Sequence, residues 1–465
     1  MDYSDLADWQ KRAADWARDY HAGLRDRPVR PNIAPGEFLA KIDAPVPEQP
    51  DPVEAIFDDF TRLVPDAMTH WQHPRFFAYF PANAAPASML AEQLANAMSA
   101  QAMLWQTAPA ANEMEELVIR WLRDAMGLPL GFTGTIHDSA TTATFSAVTT
   151  MRELALGHEG ITKGLSGAPT LRIYASAQTH SSVDKAVRLS GIGQDNLVKV
   201  PTVPGHPTWS MDPDALDRLI RDDLAAGLKP AGVVLCVGGT SIGACDDIAA
   251  CIDVAHAHGL TVHVDAAWAG SAMICEEFRT LWTGIEAADS IIFNPHKWLG
   301  AQFDCAVQFL RDPAPQIGAM GLRPEYLRTQ GADEVVNYNE WTLPLGRRFR
   351  ALKLWFLLRA EGLSGLRARI RNHVAWTNEV AEVIATLPGF EITTPPILSL
   401  FTFRFHDDAK SAALLERVNR DGRLYLTQTQ HEGQFVIRVS VGQYSTTRDD
   451  VMMIPDVLKE LSRDL

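Results

Sequence analysis

The sequence predicts an α/β protein: a large domain on a mostly parallel sheet, with a helical N-terminal segment before it and a smaller α+β domain after it. Three observations carry this. Between Gly134 and Gly300 short apolar runs alternate with stretches of helical periodicity, the pattern of strand–helix–strand units. Ahead of that region lie amphipathic helical stripes joined by proline-rich sequence. After Pro344 the pattern changes to a long helical stretch and then to alternating strands. The divisions expected from these changes are 1–80, 81–350 and 351–465.

The N-terminal residues 1–24 place Leu6, Trp9, Ala13, Trp16, Ala17 and Tyr20 on one helical stripe. A linker carrying Pro45, Pro47, Pro50 and Pro52 follows, then a second stripe of Val53, Ile56, Phe57, Phe60, Leu63 and Val64. The run from Trp71 to Ala82 is dense in aromatics and broken by prolines. Taken alone it reads as core, since large apolar side chains are usually buried for packing.

Residues 87–106 predict an alanine-rich helix. A further helix is expected to start at an Asn112 N-cap, with Glu115 three residues on, and to stop at Gly127. Strands are expected at 134–137, 171–176, 231–237, 260–265 and 290–293, with helices at 141–156, 182–189, 212–226 and 246–258. Beyond Pro344, residues 347–386 are mostly helical, with strands at 397–405 and 434–441, a helix at 409–420 and a last helix from Thr447.

Composition excludes several roles. The 465 residues are 46% hydrophobic and 21% charged, which suits a globular protein with a substantial core. A net charge of −15 argues against nucleic acid or an anionic membrane surface as the main partner. The acidic start has no apolar core, so no signal peptide is expected, and no apolar run is long enough to span a bilayer. Cys236, Cys245, Cys251, Cys275 and Cys305 lack CxxC spacing. Reduced thiols in a cytoplasmic protein are expected, with no metal.

The chemistry gathers on Asn294-Pro-His-Lys297-Trp-Leu-Gly300, which follows the apolar run Ser290–Phe293. A lysine on a loop is ordinarily a solvated surface residue. Burial at a strand end would instead lower its pKa and make the amine nucleophilic, suiting Schiff-base chemistry with an aldehyde. An aldehyde-bearing cofactor would further need an acid against its ring nitrogen, a phosphate seat and a flat group over its face. The strand 260–265 ends in Asp265, before Ala266-Ala267-Trp268. Ser139-Ala140-Thr141 opens a helix directly after a strand, which reads as an ordinary N-cap or as an anion seat. Gln178-Thr-His180-Ser-Ser182 closes another strand, with Ser181 expected to cap the next helix. His263 lies two residues before Asp265, so both side chains project to one face. It reads equally as a brace for Asp265 or as a simple polar strand residue.

These stretches, with His263–Cys275, Thr179–Ala186 and Pro344–Phe356, resemble the pyridoxal-phosphate-dependent group II decarboxylases of the aromatic-L-amino-acid (dopa/tryptophan) decarboxylase family. The resemblance runs from His70 to Arg438. It implies a fold-type I enzyme with a seven-stranded sheet, acting as a homodimer that decarboxylates aromatic L-amino acids to arylalkylamines. The N-terminal stripe then becomes an arm that clasps a second subunit. Lys297 would carry pyridoxal 5'-phosphate, Asp265 would face the ring nitrogen and His180 would stack on the ring. Ser139, Ala140 and Thr141, with Asn294 and His296, would take the phosphate, while Thr240 and Ala267 flank the cofactor. Tyr326 aligns with the loop tyrosine that protonates Cα, in a loop shorter than that of the animal enzymes. The substrate pocket would be lined by Trp71, Tyr79, Phe80, Pro81, Ala82, Gln101, Met103 and Gly346. Ala82 replaces a threonine of the animal enzymes, Gln101 an aliphatic residue and Met103 a phenylalanine, and Val237-Gly238 also departs from the family pattern. The rivals are an aldehyde synthase using the same cofactor, disfavoured by Tyr326 and His180, and a non-catalytic dimeric scaffold, disfavoured by the retention of Lys297, Asp265 and Tyr326.

Overall fold

A computed structural model describes residues 1–322 and 335–465. Tyr326 and the loop 328–334 therefore lie outside the described residues. The chain opens with α1 (Tyr3–Ala22), α2 (Glu37–Ile42), α3 (Val53–Leu63), α4 (Pro86–Ala97) and α5 (Pro109–Met126). It continues through β1 (Thr133–His137), α6 (Ala140–Ala155), α7 (Glu159–Lys163), β2 (Leu171–Ser176), α8 (Ser182–Leu189) and β3 (Leu197–Val200). Then come α9 (Pro213–Ala225), β4 (Lys229–Cys236), α10 (Ile248–Ala257), β5 (Thr261–Asp265), β6 (Ser290–Phe293), β7 (Ala306–Leu310) and α11 (Ala314–Met320). The remainder is α12 (Arg350–Ala385, broken at Gly362), β8 (Phe390–Ile397), β9 (Leu400–Phe405), α13 (Asp408–Asp421), β10 (Thr427–His431), β11 (Gln434–Ser440) and α14 (Arg448–Leu461).

Two compact units result, one of Ala82–Ala375 with Pro396–Phe401, the other of Met1–Pro81, Trp376–Pro395 and Thr402–Leu465. The larger holds a seven-stranded sheet in the order β1-β7-β6-β5-β4-β2-β3. β7 runs antiparallel to both its neighbours, and the other pairings that are described are parallel. The mostly parallel sheet is thus as expected, with β3 and β7 added to the strands read from the sequence. Strands buried on both faces favour apolar runs, which β6 and β7 largely supply, while β5 alternates Val262 and Val264 with the buried polar His263 and Asp265. The core between sheet and helices packs Val148 and Met151 of α6 and Val183 and Val187 of α8 on Ile173 and Val234. A Cβ at Gly232 would stand 2.4 Å from Met151 Sδ, so α6 can close on β4 only over a glycine.

Two helix expectations are corrected. The alanine-rich helix ends at Ala97 rather than 106, and Ser99 then takes a positive φ of 48°. The next helix starts at Pro109, whose fixed φ suits a first turn. Asn112 lies inside that helix and donates to the Leu104 and Ala108 carbonyls instead of capping it.

In the second unit a four-stranded sheet, β10-β11-β9-β8, carries α13, and α14 packs on α13. Asp407 caps α13, and Thr447 with Asp450 forms a capping box on α14. The stripe of α1 meets aromatics of its own unit: Trp9 lies 5.7 Å from Phe57 and Trp16 lies 5.0 Å from Phe60, ring to ring. Tyr20 bonds His70 at 2.9 Å.

Candidate active site

Five parallel strands, β1, β2, β4, β5 and β6, end on one edge of the large sheet. That edge, outside the carboxyl ends of parallel strands, is where α/β sheets bind ligands. The sequence-expected cofactor residues all follow these ends: Ser139, Ala140 and Thr141 after β1, His180 after β2, and Thr240 after β4. Asp265 and Ala267 end and follow β5, and Asn294, His296 and Lys297 follow β6.

The zipper between β5 and β6 continues past the strands. Ala266 donates to the Ile292 carbonyl at 2.9 Å, and Asn294 donates to the Ala267 carbonyl at 2.7 Å. Asp265 is buried, with Oδ1 accepting the Ala267 N–H at 3.0 Å. Lys297 is half-buried on a one-turn helix, Pro295–Leu299, closed by Gly300 at φ 102°. A β-carbon is strained at such a φ, so glycine is required there.

His296 is held by burial first, and by the Lys297 charge second, at a pKa of about 3, so the ring is neutral. Its Nδ1 accepts the Cys305 N–H at 2.9 Å, which leaves the proton on Nε2. His180 is arranged alike. Its Nδ1 accepts the Ser182 N–H at 3.1 Å, so the imidazole and not Ser181 caps α8. Burial lowers its pKa, with Asp265 opposing and Lys297 assisting, which puts both charges within electrostatic reach of the ring.

Ser139 caps α6, its Oγ accepting the Thr142 N–H at 3.3 Å. The first-turn amides of this 16-residue helix point off its N-terminus; Asp138 Oδ1, one residue before the cap, and Asn294 Oδ1, after β6, are buried without a partner among the described residues. This donor set fits an aldehyde-bearing phosphorylated ring: an amine for the aldehyde, a carboxylate for a protonated ring nitrogen, and amides with hydroxyls for phosphate.

His263 does not bond Asp265. It ends a ladder across four strands, whose direction follows from one carbonyl. Trp341 O can only accept, so Gln316 turns its Nε2 to it at 2.7 Å. Gln316 and Gln308 pair reciprocally at 2.9 Å, which turns Gln308 Oε1 to His137 Nε2 at 2.8 Å. Gln308 Nε2 donates to Ser290 Oγ at 2.9 Å, freeing the Ser290 hydrogen for His263 Nδ1 at 2.9 Å. His137 and His263 both carry their proton on Nε2. Burial holds each near pKa 4, so both are neutral.

The residues expected to line a substrate pocket divide between the two units. Trp71, Tyr79, Phe80 and Pro81 belong to the smaller unit, Ala82, Gln101, Met103 and Gly346 to the larger. Trp71 packs 4.6 Å from Phe76 and stacks 6.0 Å from Tyr79, and the Arg438 guanidinium lies 5.1 Å over Phe80. In the larger unit Gln101 and Gly346 come together: Gln101 Oε1 accepts the Arg347 N–H at 3.1 Å, and a Cβ on Gly346 would lie 3.2 Å from Gln101 Nε2. Met103 is held through its carbonyl, which accepts the Asn339 N–H at 3.2 Å.

Sequence reasoning missed the supports. Arg347 is buried, with its NH2 group 2.6 Å from Glu115 Oε1 and bonded to Thr135 Oγ1 and the Ile136 carbonyl. Asn83 is also buried and bonds the Lys297 turn. Asn83 lies in no motif; Arg347 stands within the Pro344–Phe356 stretch, but nothing there marks it as the partner of Glu115, whose acid reads from sequence as part of a helix start.

The family model described as the pyridoxal-dependent decarboxylase conserved domain matches residues 35–406. The chain is 36% identical over 481 residues to the aromatic-L-amino-acid decarboxylase of Sus scrofa, spanning 100% of this chain and 98% of that protein. It is 34% identical over 476 residues to the phenylacetaldehyde synthase of Arabidopsis thaliana, with 99% and 96% covered. The crystal structure of Oryza sativa TDC with PLP and tryptamine matches with a TM-score of 0.96 at 33% identity, covering 100% of this chain and 99% of that one. With its strand ends so furnished and its whole length so matched, the chain belongs to the pyridoxal-dependent decarboxylase family.

Proposed function

We propose that this protein decarboxylates aromatic L-amino acids to arylalkylamines and CO2 with pyridoxal phosphate held at the strand ends. The observation that carries the proposal is the convergence of Lys297, Asp265, His180 and the α6 N-terminus on one sheet edge. When bound, the cofactor supplies a conjugated ring that takes up the electron pair left as CO2 departs. Lys297 would hold it through its amine and would give way to the substrate amine. Asp265 keeps the ring nitrogen protonated, since a carboxylate favours the charged form of its neighbour. His180 covers the ring face, and Ser139, Ala140 and Thr141 hold the phosphate with Asn294 and His296. Thr240 and Ala267 flank the ring. Tyr326 returns a proton to the substrate Cα, and Trp71, Tyr79, Phe80, Pro81, Ala82, Gln101, Met103 and Gly346 take the aromatic side chain.

The working form is a homodimer in the cytoplasm, with 1–80 as an arm, 81–350 as the cofactor domain and 351–465 as the small domain. Leu90, Leu94 and Met98 support the dimer: they form one exposed stripe along and just past α4. Five buried free thiols support a reducing compartment. A second reading, an aromatic aldehyde synthase, is favoured by the Arabidopsis relative's name. Retention of Tyr326 and His180 favours the amine.

A product assay separates the readings. Purified protein is given phenylalanine, tyrosine, dopa, tryptophan and 5-hydroxytryptophan, and amine, aldehyde and peroxide are measured. Amine with CO2 in equal amounts is expected. Aldehyde with peroxide would establish the synthase, and no product alongside no borohydride-reducible visible band would establish the scaffold.

A further inference from the structure

The Lys297 turn cannot satisfy its own carbonyls. Within it Lys297 N–H bonds the Asn294 carbonyl at 2.9 Å, and Gly300 and Ala301 both bond the Pro295 carbonyl at 3.0 Å. The carbonyls of His296 and Lys297 point away, as at any helix end. Asn83 takes both. Its backbone N–H donates to His296 O at 2.8 Å, and its Nδ2 donates to Lys297 O at 2.5 Å. Two residues on, Ala85 N–H donates to Gly300 O at 3.0 Å, so residues 83–85 run along the turn as a splint. Asn83 is fully buried, and its carbonyl in turn accepts the Phe303 N–H at 3.3 Å.

We infer that Asn83 is a positioning residue for Lys297, fixing the peptide planes on both sides of the lysine and so the direction in which its side chain leaves the backbone. A lysine side chain is long and flexible, and its reach is set where it joins the chain. The main-chain bond keeps the 83–85 segment against the turn whatever residue stands at 83, whereas the side-chain bond is specific to a donor of this length. Asn83 also follows Ala82 directly, so one residue ties the start of the larger unit to the reactive lysine.

The inference rests on the proposed role of Lys297 and is tested on the holoenzyme with Asn83→Ala and Asn83→Asp. The aspartate fills the same space but turns an acceptor toward the Lys297 carbonyl. Three quantities are read: the pH titration of the visible band, the rate of cofactor release, and kcat against KM. A displacement of about 1 Å at a reacting group costs on the order of 100-fold. Both variants are expected to lower kcat by roughly 10- to 100-fold, with KM moved much less, to shift the band's titration and to speed cofactor release. Cofactor-free protein should stay folded at the assay temperature, its melting point lowered only by the lost buried bond. A wild-type band, release rate and kcat in both variants would overturn the inference. So would losses that vanish at a temperature where the variant is fully folded. If Asn83→Ala does not accumulate, Asn83→Asp carries the test. Lys297→Ala is run beside them: retention of a reducible link there would overturn the Lys297 role itself, a result distinct from failure of Asn83.

Discussion

Trp298 donates its indole N–H to His373 Nδ1 at 3.0 Å, in a place where both side chains are fully buried. The indole also stacks on Trp268 at 5.3 Å with 19° between planes. Trp268 follows Asp265 on one strand end and Trp298 follows Lys297 on the next, so the stack joins the two turns that carry the chemistry. Trp298→Phe keeps an aromatic ring and removes the donor. The expected loss is about 1–3 kcal/mol, and His373→Phe should cost a similar amount by stranding the indole N–H. In urea denaturation the double variant should lose less than the sum of the singles; strict additivity would show that the bond contributes nothing.

Asp265→Asn leaves the size of the side chain and removes its charge. Cofactor affinity and kcat should both fall by orders of magnitude, consistent with about 3–5 kcal/mol for breaking a buried ion pair. Titration of cofactor into the apoprotein and single-turnover rates decide it, and near-normal values would refute the ring-nitrogen role.

Arg347→Lys should raise KM more than it lowers kcat. The guanidinium reaches Glu115, Thr135 and Ile136 through one nitrogen and the Ala102 carbonyl through another, and an ammonium cannot copy that fork. Gly346 and Gln101 would then lose their fixed spacing. Glu115→Gln should produce the same phenotype from the other side, and kinetics showing an unchanged KM in both would refute the link.

Ala82→Thr should shift selectivity toward hydroxylated rings. A pocket wall without a polar partner at 82 gains mainly from the apolar area of the ring. Phenylalanine or tryptophan should therefore be accepted comparably to dopa by the native protein. A preference for dopa beyond about a thousandfold in kcat/KM would show that the hydroxyl is already being read.

Acid should unfold the protein well above the range where its carboxylates titrate. Burial lowers His137 and His263 to about 4, and His296 and His373 to about 3, from 6.5. Because the folded pKa is depressed, the unfolded chain binds more protons between about 3 and 6.5. The contribution, about 3–5 kcal/mol for each ring, is complete above pH 6.5 and is lost as pH falls toward 3–4. Asp246, raised by burial to about 6, works the other way and offsets part of this between 3.8 and 6. Urea stability measured from pH 7 down to 4 should fall steeply, and a flat profile would refute the assignment.

Strands such as 171–176 and 290–293 were legible because an apolar run buried on both faces leaves no other option. β7 was not legible as a strand, since Gln308 interrupts its short apolar run. Alanine carried the helix forecast past Ala97 on propensity alone, which tertiary context overrides: beyond the helix the Ala102 N–H donates to the Arg347 carbonyl at 2.8 Å. Among the site residues, those with side-chain chemistry stood out by type and place. Asn83 did not, since its two bonds go to main-chain carbonyls more than 200 positions away, and main-chain partners leave no mark on sequence.

The ladder from Trp341 to His263 has a consequence for observation. A chain of amides and hydroxyls usually has two equivalent arrangements, each the reverse of the other, and it blurs between them. Here the fixed carbonyl at one end removes the reversed form, so Nε2 of His137 and His263 should each hold a single proton that exchanges slowly with water. In nitrogen-15-labelled protein these two rings should give sharp, long-lived imidazole signals of one tautomer. Such signals would serve as built-in beacons for the state of the sheet beneath the strand ends, readable without touching any residue of the site.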